Sequence, residues 1–172
     1  MSFSITHYLS AWDSPDKIPN GGLRIAMNDE RIHRFKPDNR PTEATQEWGP
    51  MYVGVYPELD IRHLVDASMD LINQYPSSFQ HHEDQYQQVT FCESSFALIL
   101  DRLDETYIRL AVRSKDAVPE AQRGYLVTID VFVRELIAAL DRFIEEVERE
   151  AAGTNVADGL VACRQLVQEE VL

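Results

Sequence analysis

The chain has 172 residues and a formal net charge of −13, from 29 acidic and 16 basic side chains. That length can bury a core without disulfide or metal support, so we predict a single domain over residues 1–172. The charge excludes nucleic acid, which needs a basic surface, and docking on anionic lipid. No apolar run approaches the ~20 residues of a membrane span.

The acidic charge is unevenly distributed along the chain. Residues 1–40 have six basic and five acidic side chains, so residues 41–172 have a net charge of −14. Such a field accelerates the capture of cationic partners and repels anionic ones. The N-terminus lacks the basic region and long apolar block of a secretory signal. Together with the Arg-rich, Cys-poor composition, this predicts a bacterial cytoplasmic protein.

The first 35 residues are predicted to form three strands. Alternating apolar residues indicate a strand over residues 3–12. Residues 13–22 are rich in Asp, Pro, Asn and Gly, which predicts a loop that turns at residues 20–22. Alternation in residues 23–27 and again in residues 31–35 predicts a β-hairpin.

A long loop and a helix follow. Residues 36–50 contain three prolines and show no hydrophobic period, so we predict a loop in which Trp48 is an apolar anchor. Residues 51–56 predict a strand. Apolar residues at helical spacing predict a helix over residues 60–75, with Asp60 as its N-cap.

Three more strands are predicted over residues 88–92, 96–100 and 107–113. Residues 96–100 are apolar on both faces, which is typical of a covered strand. The third strand alternates, as an antiparallel strand does when one face is in the core. Its polar face consists of Tyr107, Arg109, Ala111 and Arg113. Residues 114–122 predict a loop.

Residues 123–150 predict a strand that leads directly into the longest helix. The strand covers residues 125–129, and Asp130 is placed as the N-cap of the helix. Apolar residues recur every three or four positions from Phe132 to Val147, which indicates an amphipathic helix. A last amphipathic segment is predicted over residues 154–171.

Strands and helices occur in groups instead of alternating strictly, which predicts an α+β fold. We expect an antiparallel sheet with the two longer amphipathic helices packed on one face, and a short C-terminal helix. The other face of the sheet is expected to be open and to present Tyr107, Arg109 and Arg113.

The polar face of the longest helix is rich in carboxylates toward its C-terminal end, where the helix dipole disfavours negative charge. These residues are Asp141, Glu145, Glu146, Glu148 and Glu150. Two interpretations remain open, a solvated surface or an acidic docking site for a basic partner.

No stretch of the sequence matches a catalytic or metal-binding motif. The four potential ligands of residues 81–84 are too closely spaced to converge on one ion. His63 is interpreted as a helix-edge residue, and a hairpin turn explains the acids near His33 without a general-base pair. Cys92 and Cys163 fit no metal or redox spacing and are expected to be free thiols, although a disulfide stays open. We predict no cofactor and no metal. The absence of a motif weighs against an enzyme, but enzymatic activity stays open because catalytic residues can assemble across distance in sequence.

A hairpin over residues 96–113, a loop, a strand over residues 125–129 and a helix that opens with DVFVREL follow one another in residues 88–150. This order resembles small acidic bacterial immunity proteins of polymorphic and contact-dependent toxin systems. The resemblance implies a stoichiometric inhibitor that covers a basic toxin with an acidic face.

Three functional hypotheses follow. The leading one is a non-catalytic acidic module that binds and blocks a basic, toxin-like protein, with Trp48 or Tyr107 as the anchor of the interface. Its contact residues would also include Asp141, Glu145, Glu146, Glu148 and Glu150. The second is a small-ligand-binding or enzymatic domain in which Arg109 and Arg113 hold an anionic group. The third is a self-associating subunit with residues 96–100 near a homodimer contact.

Overall fold

The computed structural model describes residues 2–10, 19–35, 52–73, 86–92, 96–150 and 155–171. Within these residues the chain forms two antiparallel sheets, of three and four strands, and four helices. The predicted α+β class is therefore confirmed. The strands of the first 35 residues form one sheet, and the later strands form the other.

The three-stranded sheet consists of β1 (Phe3–Leu9), β2 (Gly21–Met27) and β3 (Glu30–Arg31), in that order. The predicted hairpin is present, but its second strand is only two residues long. Asn28 and Asp29 form the turn with φ angles of 51° and 67°. Asn and Asp adopt this left-handed conformation more readily than other residues with a side chain.

β2 begins at Gly21, so the predicted turn at residues 20–22 is wrong. A Cβ atom at Gly21 would overlap the carbonyl oxygen of Tyr8 on β1. Glycine at this position therefore permits the close approach of two paired strands instead of reversing the chain.

The predicted strand over residues 51–56 is also wrong for its described part. Val53 forms an isolated bridge with Leu23 through backbone hydrogen bonds of 2.9 and 2.7 Å. Gly54 then takes a φ of 75°, which is incompatible with a strand and which glycine adopts at little cost. One further backbone bond follows, from the Gly21 N–H to the Val55 carbonyl at 2.9 Å, but no regular strand forms.

Helix α1 (Pro57–Asn73) starts three residues before the predicted cap Asp60. Proline suits the first helical position because its missing N–H needs no partner there. Asp60 instead lies inside the first turn and is fully buried. Its carboxylate accepts a hydrogen bond of 2.7 Å from the backbone N–H of Cys92.

The four-stranded sheet consists of β4 (Tyr86–Thr90), β5 (Ala97–Arg102), β6 (Tyr107–Val112) and β7 (Tyr125–Thr128). Its strands follow one another in sequence order and are antiparallel throughout. Each of the four was predicted to within a few residues, because short β-rich runs separated by turn residues are a direct signal of strands.

The predicted loop over residues 114–122 contains a short helix, α2 (Pro119–Arg123). Pro119 begins this helix, which is again the position that tolerates a missing N–H. Gly124 ends it with a φ of 86°. The prediction was wrong because a helix of five residues leaves no hydrophobic period to recognise.

The C-terminal part consists of two helices, α3 (Ile129–Glu150) and α4 (Asn155–Val171), as predicted. The capping residue of α3 differs from the prediction. The hydroxyl oxygen of Thr128 accepts a hydrogen bond of 3.4 Å from the Val131 N–H, so Thr128 caps the helix and Asp130 lies in its first turn.

The core lies between the four-stranded sheet and the helices. α1 packs on β4 and β5, α3 packs on β7 and on β1 of the other sheet, and α4 packs against both helices. The sheet contributes Leu98, Leu100, Ile108, Leu110, Val112 and Val127, all buried. No helix in the described ranges is long and apolar enough to cross a lipid bilayer.

Candidate functional site

A row of side chains crosses the outer face of the four-stranded sheet. The strand register places Asp101 opposite both Tyr86 and Arg109. Arg109 in turn lies opposite Leu126. Paired residues share a face of the sheet, and so do residues two apart on one strand, so Tyr107 belongs to the same face. We name these five residues the open sheet face.

Most of the exposed large apolar side chains in the described part of the chain lie on or next to this face. The full set of such side chains is Tyr8, Tyr86, Leu103, Tyr107 and Leu126, which are exposed to 43%, 44%, 39%, 41% and 48%. Three of the five belong to the open sheet face, and Leu103 directly follows β5. Only Tyr8 lies on the other sheet. Clustering of exposed apolar residues is typical of an interaction surface, whereas single ones are ordinary.

The two arginines predicted to hold an anion are not brought together. Arg109 forms an ion pair with Asp101, with 2.8 Å between Nη2 and Oδ2. Arg113 donates to the side-chain oxygen of Gln88 at 2.7 Å. Ala111 lies between them and is buried where α2 packs on β6. Four residues along a strand span about 13 Å, so each guanidinium has its own surroundings and its own partner.

An apolar groove of about 390 Å³ adjoins the open sheet face beside β7. Its lining residues are Phe3, Met27, Tyr107, Leu126, Val127, Thr128 and Val131. A more polar depression of about 480 Å³ shares Met27 and Leu126 with it and also includes Asn28 of the β2–β3 turn and Glu30 of β3. We name the apolar part the β7 groove.

The backbone of β7 is available on the side that does not face β6. The Ile129 N–H donates to the Thr106 carbonyl at 2.8 Å, and bonding alternates along antiparallel strands. Tyr125 and Val127 therefore bond to β6, whereas the N–H and C=O of Leu126 point away from it. Within the described ranges, β7 has no strand on that side.

The edge of β1 is closed by side chains of α3. The Ile5 N–H donates to Oε1 of Glu135 at 3.0 Å. Arg142 donates to the Ile5 carbonyl at 2.8 Å and to the same Glu135 oxygen at 2.7 Å. These two side chains satisfy the backbone groups that a neighbouring strand would otherwise bond, which protects the edge.

The structure separates the predicted acidic contact residues into two groups. Asp141 forms an ion pair with Arg164 of α4, and Glu146 accepts a hydrogen bond of 2.6 Å from Nε2 of His7. Both carboxylates are partly shielded from water. The exposed group consists of Glu145, Glu148 and Glu150, which form no ion pair with another described residue.

His7 is an internal residue that the sequence did not indicate. Its ring stacks on Phe143 with 4.2 Å between centroids, and its side chain is 7% exposed. Burial lowers the pKa of His7 below its ordinary value of 6.5, and the hydrogen bond to Glu146 opposes that shift. Because the Glu146 carboxylate can only accept, the Nε2–H of the imidazole is the donor in this hydrogen bond.

The remaining candidates are placed as follows. His33 is fully buried beside Phe96, with 5.7 Å between the rings, and the Glu30 carboxylate pairs with Arg34 at 3.1 Å. Cys92 and Cys163 are not joined to each other, so the disulfide that the sequence left open is not formed.

Trp48, the loop over residues 36–50 and residues 81–84 lie outside the described residues, so the predictions for them stay predictions. No protein-family model matches the chain, and no match was found among curated proteins or solved structures. The functional interpretation therefore depends on the surface and charge of the chain itself.

Proposed function

We propose that the chain is a non-catalytic protein-binding module, whose partner is a basic protein that docks on the open sheet face and extends along the β7 groove. The supporting observation is that exposed Tyr107 and Leu126 lie beside the unpaired edge of β7. An added strand needs free backbone donors and acceptors for affinity and apolar pockets for specificity. This edge offers both.

Charge defines the chemistry of the partner. Asp104 and Glu105, in the turn before β6, and Asp130, next to Val131 of the groove, are exposed acidic residues around this surface. Residues 41–172 have a net charge of −14. Such a field attracts a cationic protein over several ångströms and repels an acidic one. The docking segment is therefore basic and extended.

The form of this module that we favour is an immunity- or antitoxin-type inhibitor, which blocks a basic toxin by covering its active surface. In this proposal Glu145, Glu148 and Glu150 accelerate the encounter, because exposed charges act mainly on association rates. Tyr107 is the anchor, since aromatic residues with a rigid ring dominate the energy of interfaces.

Site-specific photo-crosslinking tests the location of the docking surface. A benzophenone amino acid is placed at Tyr107, at Leu126 or, as the control, at Tyr8 of β1, whose exposed fraction is similar. We expect the first two positions to capture the same basic protein in the native cell and Tyr8 to capture none of it. Capture from all three positions, or of acidic proteins, contradicts the proposed surface.

The purified partner then tests the energetics. Leu126→Asp places a carboxylate in the apolar contact and is expected to weaken binding on the order of 30-fold or more, as for a central interface residue. The association rate of the wild-type chain is expected to fall on the order of tenfold between low and physiological salt. Unchanged binding by Leu126→Asp overturns the proposal.

Two further outcomes are informative about the kind of module. If the partner is toxic when expressed alone, the wild-type chain but not Leu126→Asp must restore growth. If the crosslinks from Tyr107 and Leu126 join two copies of this chain, the surface is a homodimer interface and the basic partner is disproved. Such a dimer cannot add a strand to β5, because both edges of β5 are already paired.

A further inference from the structure

Three potential metal ligands of different chemistry meet where α1 passes the end of β4. Asp60, His63 and Cys92 each offer a donor atom, and the three atoms lie within 4.8 Å of one another. Asp60 and His63 are three residues apart in α1, so they occupy the same face of the helix. Cys92 lies two residues beyond the end of β4. Asp60 and Cys92 are 32 positions apart in sequence, so no short motif reveals the cluster.

Asp60 is the buried acidic member of this cluster. Its carboxylate is fully buried, and one oxygen accepts the Cys92 N–H at 2.7 Å. The Cys92 thiol also lies within reach of this carboxylate, whereas Oδ2 is buried and forms no hydrogen bond of normal geometry with a described residue. A buried carboxyl oxygen without a well-placed donor is costly, and such groups are normally paired or bound to a cation.

The backbone makes room for this oxygen. A Cβ atom at position 54 would overlap Oδ2 of Asp60, and Gly54 has the positive φ of 75° noted above. The only residue type that fits here without strain is glycine. The carboxylate is therefore held in place on one side by the Gly54 backbone and on the other by the Cys92 N–H.

We propose that Asp60, His63 and Cys92 form a binding site for a divalent transition metal ion of the zinc class. A carboxylate oxygen, an imidazole nitrogen and a thiolate sulfur are all ligands of Zn²⁺. With bonds of about 2.0–2.3 Å, tetrahedral donors lie roughly 3.3–3.8 Å apart, so a small movement of the exposed His63 side chain closes the site. The Cys92 thiol releases its proton on binding.

Three protein ligands leave one coordination position for water or for a ligand from outside. Structural zinc sites have four protein ligands, so this ion would complete its coordination with water. The site lies on α1 and β4, away from the β7 groove, so its presence is independent of the proposed partner binding.

Metal titration of the full chain, reduced and freed of metal with a chelator, tests the proposal. Zn²⁺ is measured by competition with a chromophoric chelator, and Co²⁺ by the near-ultraviolet absorption that a cobalt–thiolate bond produces. We expect one equivalent of either ion to bind, with thiolate absorption for Co²⁺. Cys92→Ser is expected to remove that absorption and to weaken Zn²⁺ binding on the order of 100-fold, since even supporting residues of a metal site contribute 10–100-fold.

Matched variants separate this site from unspecific binding. Cys163→Ser removes the other thiol of the chain and must leave the affinity and the absorption unchanged. The double variant His81→Ala/His82→Ala removes the two consecutive histidines of the sequence and must also bind one equivalent. His63→Gln alters an exposed side chain, so its fold is expected to be intact by circular dichroism while its affinity falls. Asp60→Asn is expected to lower the affinity as well. If that variant fails to fold, His63→Gln alone tests whether the cluster binds the metal.

The proposal is overturned by any of three results. The wild-type chain binds no stoichiometric Zn²⁺ at micromolar concentration, Cys92→Ser binds as tightly as the wild type, or the affinity depends on Cys163 instead. In each case Asp60 is a structural residue that holds the end of β4 to α1 through the Cys92 N–H.

Discussion

The two sheets of this chain treat their outer edges in opposite ways. At β1, Glu135 and Arg142 of α3 bond to both backbone groups of Ile5 and replace a neighbouring strand. At β7, the backbone of Leu126 points to a free edge beside an apolar groove. An unprotected edge invites pairing with other chains. Because this chain closes one edge with its own side chains and leaves the other open, we propose the open edge as the docking site of a partner.

The largest expected difference between the two regions is in the response to removal of an aromatic ring. Phe143→Ala removes a fully buried ring beneath His7 and is expected to lower the free energy of unfolding by about 3–5 kcal/mol. Tyr107→Ala, on the open sheet face, is expected to cost less than about 1 kcal/mol. Urea unfolding measures both. Equal losses would show that Tyr107 belongs to the core and would break the comparison.

Removal of the edge-closing carboxylate is expected to have a smaller effect. Glu135→Ala deprives the Ile5 N–H of its acceptor and Arg142 of its partner, so the free energy of unfolding should fall by about 1 kcal/mol. This loss is at the low end of the cost of an unsatisfied buried group, because the Glu135 side chain is 20% exposed and water can bond to the groups that the variant leaves without a partner. Glu148→Ala, on the exposed part of the same helix, is the control and should stay within about 0.5 kcal/mol. A larger loss of stability for Glu148→Ala than for Glu135→Ala would show that Glu135 does not close the edge of β1.

The closed region should also respond to pH through His7. Burial lowers the pKa of His7 in the folded chain below the 6.5 of the unfolded chain, so the unfolded state takes up a proton first as the pH falls. The contribution of the neutral His7 ring to the free energy of unfolding is fully present above pH 6.5. It is lost as the pH drops through 6.5 toward the folded pKa. The measurement is the difference between the pH–stability curves of the wild type and His7→Gln. A difference that increases on acidification would mean that Glu146 outweighs burial and raises the pKa.

Amide hydrogen exchange gives the finest test of the two edges. The Ile5 N–H is bonded to Glu135 and should exchange slowly, whereas the Leu126 N–H lacks a strand partner and should exchange at a rate close to that of a solvent-exposed amide. Two-dimensional NMR after dilution into D₂O measures both residues in one sample. Saturation with the partner should slow the exchange of the Leu126 N–H and leave the exchange of the Ile5 N–H unchanged. Strong protection of Leu126 in the free chain would mean that its edge is already covered.

Local patterns predicted the individual elements well. The recurrence of apolar residues from Phe132 to Val147 predicted α3, and alternation from Tyr107 to Arg113 predicted β6 with its outward Tyr107 and Arg109. These signals succeed because burial selects apolar residues at the period of the element itself. Some errors came at helix starts, where Pro57 lies three residues before Asp60 and Thr128 two residues before Asp130. Others came at short segments, where the helix α2 was missed and a strand was wrongly predicted over residues 51–56.

The chain's own order of residues determined the α+β class, the amphipathic helices and the acidic charge, because each depends only on residue type and spacing along a few turns or strands. The tertiary structure alone decided which carboxylates stay free. Glu146 is taken by His7 and Glu135 by Ile5, at separations of 139 and 130 residues. It likewise decided that Asp60 meets Cys92 and that β7 keeps an open edge. Contacts between distant segments leave no local period, so packing in three dimensions had to place them.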